Sequence, residues 1–279
     1  MIPRTIAATF LDTSEANWLA PMAAALCRSF DAHLIGAHGV EPLPPMGGDL
    51  VSDPVILPEF LEWERKEGAA IRERFELAVK AEDIRAEFRT PTETGGIVAD
   101  FFIDSCRAAD LVLSARVPRH AGRAADVRLQ ERLIREAGRP VLVLDEKAAL
   151  TRPARHVLVG VSCTREAMRA VNDMLYLADK GARIDLLSVS SPEGERRAVS
   201  DLREDLAAAL DRRGFDVTLL DRTKTTSEPG DEMLRTARER GAEVIAVGAF
   251  GHSRLYDFVI GAVTSLLLEK AHLPVLFSK

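Results

Sequence analysis

Residues 243–277, EVIAVGAFGHSRLYDFVIGAVTSLLLEKAHLPVLF, divide into a run of strand formers (243–247), a glycine-bearing loop, a helix-length segment (263–270) and a second apolar run around Pro274. Both apolar runs are continuous rather than alternating, which marks strands covered on both faces, as in a parallel sheet flanked by helices. The same order occurs earlier in the chain. Residues 110–113 (DLVL) and 139–144 (RPVLVL) are apolar runs of the same kind, separated by a helical segment.

Further out, the chain is written twice. Residues 5–11 (TIAATFL) and 156–161 (HVLVGV) predict strands, ended by Asp12-Thr13-Ser14 and Ser162-Cys163-Thr164. Each is followed by an Ala-rich helix, 16–30 and 165–177, and then by a second apolar run, 33–40 and 183–189. In the middle of each half, residues 58–79 and 195–213 predict amphipathic helices, the second followed by a strand at 215–220. The Glu/Arg spacing along 62–76 suits i,i+3 and i,i+4 pairs on a solvated helix face. A Pro/Gly-rich stretch, 41–58, has no counterpart in the second half and reads as a surface insertion or as the cover of a ligand site. Residues 147–155 (KAALTRPAR) lack an apolar period and contain Pro153, so they read as a linker. The expectation is an α/β protein of two similar domains, 1–148 and 153–279.

Composition limits what such a protein can do. Of 279 residues, 47% are apolar and 29% charged, the balance of a globular chain with a core. The net charge is −6, with 18 basic against 24 acidic side chains in residues 1–150 and 19 against 19 thereafter. Neither half carries the basic field that a nucleic acid or an anionic membrane would require. No apolar run approaches the ~18 residues that span a bilayer, and MIPRTIAATFLDTSE lacks a signal peptide's apolar core, so a cytoplasmic location is expected. Cys27 and Cys106 read as core thiols, while Cys163, just after a strand, is the one candidate for redox chemistry. His33, His38, His120, His156 and His272 show no metal-binding spacing, and no serine sits in a G-x-S-x-G elbow.

The most specific local pattern is Gly248-x2-Gly251-x9-Gly261, followed by Ala262-Val263-Thr264. Glycines at the end of a parallel strand permit positive φ and let the backbone approach a ligand; a helix starting at Gly261 points free amides at the same space. His252, Ser253 and Arg254 follow Gly251, where Arg254 could pair with a phosphate and His252 could donate to one. Glycine spacing alone is also what ordinary turns show. A P-loop and a G-x-G-x-x-G dinucleotide motif are both absent.

With these residues the chain resembles the universal stress protein family in its tandem two-domain form. The resemblance covers nearly the whole chain. It implies two flavodoxin-like sheets, each of order 3-2-1-4-5, and ATP, with Mg, as the ligand at the switch point between the first and fourth strands. It places the nucleotide of the second half against Val161, Ser162, Gly248, Gly251, Gly261, Ala262, Val263 and Thr264. It implies a role in stress response or signalling and a homodimer, with slow ATP hydrolysis as the most that could be expected of its chemistry. Three positions depart from the pattern. Ala262 stands where the family has Ser or Thr, and Ser162 where it has an acid. The first half keeps the acid as Asp12, but its corresponding loop, 114–128, contains only Gly122. The alternative expectation is a ligand-free scaffold whose halves form an internal pseudo-dimer and assemble further through their last strands.

Overall fold

A computed structural model describes residues 1–40, 56–91, 97–117, 123–148, 150–190, 196–223, 228–251 and 261–279. In the first half the elements are β1 (Thr5–Phe10), α1 (Thr13–Phe30), β2 (His33–His38), α2 (Ile56–Glu82), β3 (Ala86–Arg89), α3 (Val98–Cys106), β4 (Leu111–Ala115), α4 (Ala124–Glu136) and β5 (Val141–Leu144). The second half repeats them as β6 (Ala154–Gly160), α5 (Arg165–Asp173), β7 (Ala178–Ser190), α6 (Arg196–Asp211), β8 (Asp216–Thr223), α7 (Pro229–Arg240), β9 (Val244–Gly248), α8 (Ala262–Lys270) and β10 (Val275–Ser278).

All ten strands lie in one sheet of order β3-β2-β1-β4-β5-β10-β9-β6-β7-β8. Each half has the 3-2-1-4-5 order and is parallel throughout. The halves join where β5 and β10 pair antiparallel, Leu142 opposite Leu276 and Val141 opposite Phe277. Those residues are 0% exposed, and such strands could not have been left as edges. Assembly with another chain through the last strands is therefore overturned, since β5 and β10 each have a neighbour on both sides.

Both faces of the sheet are covered, and each core layer runs through both halves. Leu142, Leu144 and Leu276 join the layer under α1 and α5; Val141, Val143, Val275 and Phe277 join the layer under α3, α4, α7 and α8. Arg116 locks the join from the first half. Its guanidinium, 7% exposed, donates to the carbonyls of Leu267 (2.7 Å) and Leu268 (3.0 Å) at the C-terminal end of α8, where a cation opposes the helix dipole.

Local differences from the sequence reading have simple causes. The helix of the second half ends at Asp173 and continues as a single 3-10 turn, Met174–Tyr176. The following strand starts at Ala178 rather than at residue 183, because Ala154 pairs with Ala178 across a register irregularity. The linker is shorter than expected: Ala154 already belongs to β6, and Asp145 bridges Ala148. Of the Pro/Gly-rich stretch, residues 41–55 lie outside the described residues, while residues 56–58 belong to α2. The exposed pairing of Glu62 with Arg65 and Lys66 on α2 is as read. Cys27 and Cys106 are buried, and burial pushes both thiols up to about 12. Cys163 is exposed.

Candidate functional site

In an open α/β sheet, ligands bind beyond the C-terminal ends of the strands where the strand order reverses. In the second half that place is the end of β6 beside β9. Val161, buried, donates its amide to the carbonyl of Leu187 (2.8 Å) and turns the chain out of the sheet. Thr164 caps α5, its hydroxyl accepting from the Ala167 amide (3.2 Å), and the Ser162 hydroxyl lies 3.1 Å from that of Thr164. Ser162 thus stands beside the capping hydroxyl at the end of β6.

The three glycines do different work. A methyl on Gly248 would stand 2.5 Å from the Ala167 nitrogen and 2.5 Å from the Glu166 carbonyl carbon, so β9 meets the backbone of α5 there. On Gly251 it would stand 2.9 Å from Glu166 Oε2 and 3.3 Å from Thr164 Oγ1. On Gly261 it would meet, among the described residues, only Thr264 Oγ1, at 4.0 Å. The expectation that positive φ explains these glycines is corrected: the left-handed residue of the turn is Phe250, at φ 60°. Close approach is needed at Gly248, but what approaches is a helix.

Gly261 is the N-cap of α8 and supplies no side-chain cap to the amides of Ala262, Val263 and Thr264, which begin the helix. Ala262 is exposed, Val263 half-buried and Thr264 buried. These amides, with the positive end of the helix dipole, suit an anion. His252, Ser253 and Arg254 lie outside the described residues, as do His120 and Gly122 of the first half.

Sequence reasoning missed Glu166. The second half lacks an acid at position 162 but places this buried carboxylate, in the first turn of α5, against Gly251. Burial alone would raise its pKa; the Arg165 guanidinium (Nε to Oε1 2.7 Å) and the positive charge of Lys279 outweigh that and hold it below the usual range. The available signal was symmetry, because Glu15 stands in the first turn of α1.

The first half shows the same place closed by its own side chains. Asp12 caps α1, accepting from the Glu15 amide (2.8 Å) and the Ser14 hydroxyl (2.5 Å). Burial works to raise its pKa, but these bonds and the Arg123 guanidinium keep it low. Arg123 is the N-cap of α4, the position Gly261 holds in the second half; it reaches Asp12 at 3.1 Å and Asp126 at 2.6 Å. Gln130 fills the adjoining space, its amide donating to Ser114 Oγ (3.0 Å). The buried His38 ring bonds the Phe10 carbonyl through Nδ1 (2.9 Å), and burial lowers its pKa. Asp12 is thus committed to capping and to an ion pair. His156, with Asp185 (2.8 Å), belongs to a partly buried cluster with Arg183 and Arg240 at the opposite, N-terminal ends of the strands. Among the described residues no group of three or more His, Cys, Asp or Glu could hold a metal ion. No helix among them is long and apolar enough to cross a membrane.

Comparison with known proteins agrees with this architecture. Residues 153–279 match the model of the universal stress protein family. A universal stress protein from Archaeoglobus fulgidus superposes with a TM-score of 0.71 at 16% identity, covering 98% of either chain. A Pseudomonas aeruginosa protein of unknown function gives 0.59 at 16% identity, covering 99% of this chain and 92% of its own. At these identities the likeness establishes the fold. No curated protein sequence matches the chain.

Proposed function

With residues 153–279 a domain of the universal stress protein family, we propose that the chain is a stress-response protein whose second domain binds an adenine nucleotide and whose first domain is structural. The domains are taken as 1–148 and 153–279. The phosphates rest on the amides of Ala262, Val263 and Thr264, with Gly251 leaving the backbone approachable beside them. One contrast carries the reading: neither helix start has a side-chain cap, but in the first half the Arg123 guanidinium sits there paired with Asp12 and Asp126, whereas in the second Gly261 brings no side chain. ATP fits as the ligand, its Mg held by the phosphates themselves. No base for hydrolysis can be named among the described residues, and the protein acts by binding. A cytoplasmic location belongs to this reading, as does a homodimer built on surfaces other than the last strands.

Gly261→Asp tests it. Aspartate is a better N-cap than glycine and, among the described residues, its Cβ meets nothing nearer than Thr264 Oγ1 at 4.0 Å, so the variant keeps its stability or gains about 0.3 kcal/mol. The same carboxylate takes the anion's place. Calorimetry with Mg-ATP is expected to show one saturable site in the wild type and an affinity at least ~100-fold weaker in the variant, a loss of ~2.7 kcal/mol. Absence of binding by folded, nucleotide-free wild type overturns the reading and leaves the scaffold alternative, which the internal ion pairs of the first half already favour for that half.

A further inference from the structure

The two halves are not independent around the glycine loop. Phe250, between Gly248 and Gly251, is 6% exposed and holds a left-handed backbone (φ 60°) that a bulky L-residue adopts only under constraint. Two cations supply the constraint. Arg135, on α4 of the first half, places its guanidinium carbon 4.7 Å from the centre of the Phe250 ring. Lys279 donates from Nζ to the Phe250 carbonyl (3.3 Å), with that nitrogen 6.0 Å from the ring centre. The Arg135 Nε is buried and has no hydrogen-bond partner among the described residues. The pairing of β5 with β10 is what brings α4 to this loop.

We propose that Arg135 is a positioning residue for the ligand site of the second half. By clamping Phe250 it keeps the turn into Gly251 in the conformation that binds phosphate, so the two halves form a single binding unit. This rests on the nucleotide reading above. A loop released from its clamp occupies the binding conformation only part of the time, and apparent affinity falls by that fraction.

The test is a double-mutant cycle with Arg135→Ala and Phe250→Gly, read by Mg-ATP calorimetry and by amide hydrogen exchange at residues 249–251 without ligand. Arg135→Ala is expected to weaken binding about five- to tenfold, roughly what one left-handed non-glycine residue costs, and to speed exchange in the loop. Phe250→Gly adopts the turn unaided, so in that background adding Arg135→Ala changes affinity less than about twofold. An equal loss in both backgrounds means that Arg135 meets the ligand's charge directly and overturns the proposal. No loss in either overturns it as well. If the wild type binds no nucleotide, the binding reading falls, and exchange alone decides the clamp: faster exchange in Arg135→Ala sustains it, unchanged exchange refutes it.

Discussion

Replacing Gly248 by alanine is expected to destabilise the ligand-free chain by about 3 kcal/mol, lowering its melting temperature by roughly 10 °C. The added methyl would stand 2.5 Å from the Ala167 nitrogen, 2.5 Å from the Glu166 carbonyl carbon and 2.8 Å from its oxygen. All three are backbone atoms of the first turn of α5, which the Thr164 cap ties down. No rotamer change removes the clash; β9 and α5 must separate, and both belong to packed core layers. Gly251→Ala is different, since its closest contact at 2.9 Å is Glu166 Oε2, the end of a side chain. Its expected cost is below about 1 kcal/mol. Calorimetric melting of both variants without nucleotide checks this, and a Gly248→Ala melting temperature within two or three degrees of wild type would refute the packing account. The outcome bears on function, because a loss of binding in Gly248→Ala would report unfolding, whereas Gly261→Asp isolates the ligand.

The second large effect concerns pH. Glu15 is 6% exposed; burial, and then the negative charge of Asp12, push its carboxyl up to about 8, against the amides of Leu11 and Ala115 and the charge of Arg123. In the unfolded chain this group loses its proton near 4.5, whereas the folded protein keeps it until about 8. Between those values the folded state binds the extra proton, so stability falls as pH rises through the window and levels off above it. At 1.36 kcal/mol per pKa unit the total is on the order of 5 kcal/mol. Glu15→Gln stays neutral throughout. Its stability relative to wild type is expected to grow by about 4 kcal/mol from pH 4.5 to pH 8, the amide's poorer fit to two backbone donors adding only an offset that does not change with pH. Urea unfolding of both proteins across pH 4–8.5 measures this. Parallel profiles would show that Glu15 is ionised in the folded protein at neutral pH.

Much of the fold was legible because its signals are local. The continuous apolar runs 110–113, 139–144 and 243–247 mark buried parallel strands, and each lies within a residue or two of β4, β5 and β9. Less of the site was legible. Gly248 stood out as a glycine, but its neighbour, α5, begins over 80 positions earlier. In the first half, the counterpart of Gly261 is Arg123, which spacing from the last strand does not reveal because α4 has 13 residues and α8 only 9. Glu166 escaped notice because it lies four residues past the position where an acid was sought.

By itself, the sequence determined most of the strands and helices, though not β3, α3 or α7, together with the twofold repeat and the end of the sheet at which the glycine motif falls. Those follow from periodicity, capping and turn chemistry acting over ten or twenty residues. Only the tertiary structure decided that β5 and β10 fuse two sheets into one, that Arg123 closes the first switch point, and that Arg135 reaches Phe250. These depend on which apolar edge is left to pair and which side chain reaches across the gap. The Arg116 contact to Leu267 spans 151 positions, a separation over which no pattern in the chain specifies a partner until the core has packed.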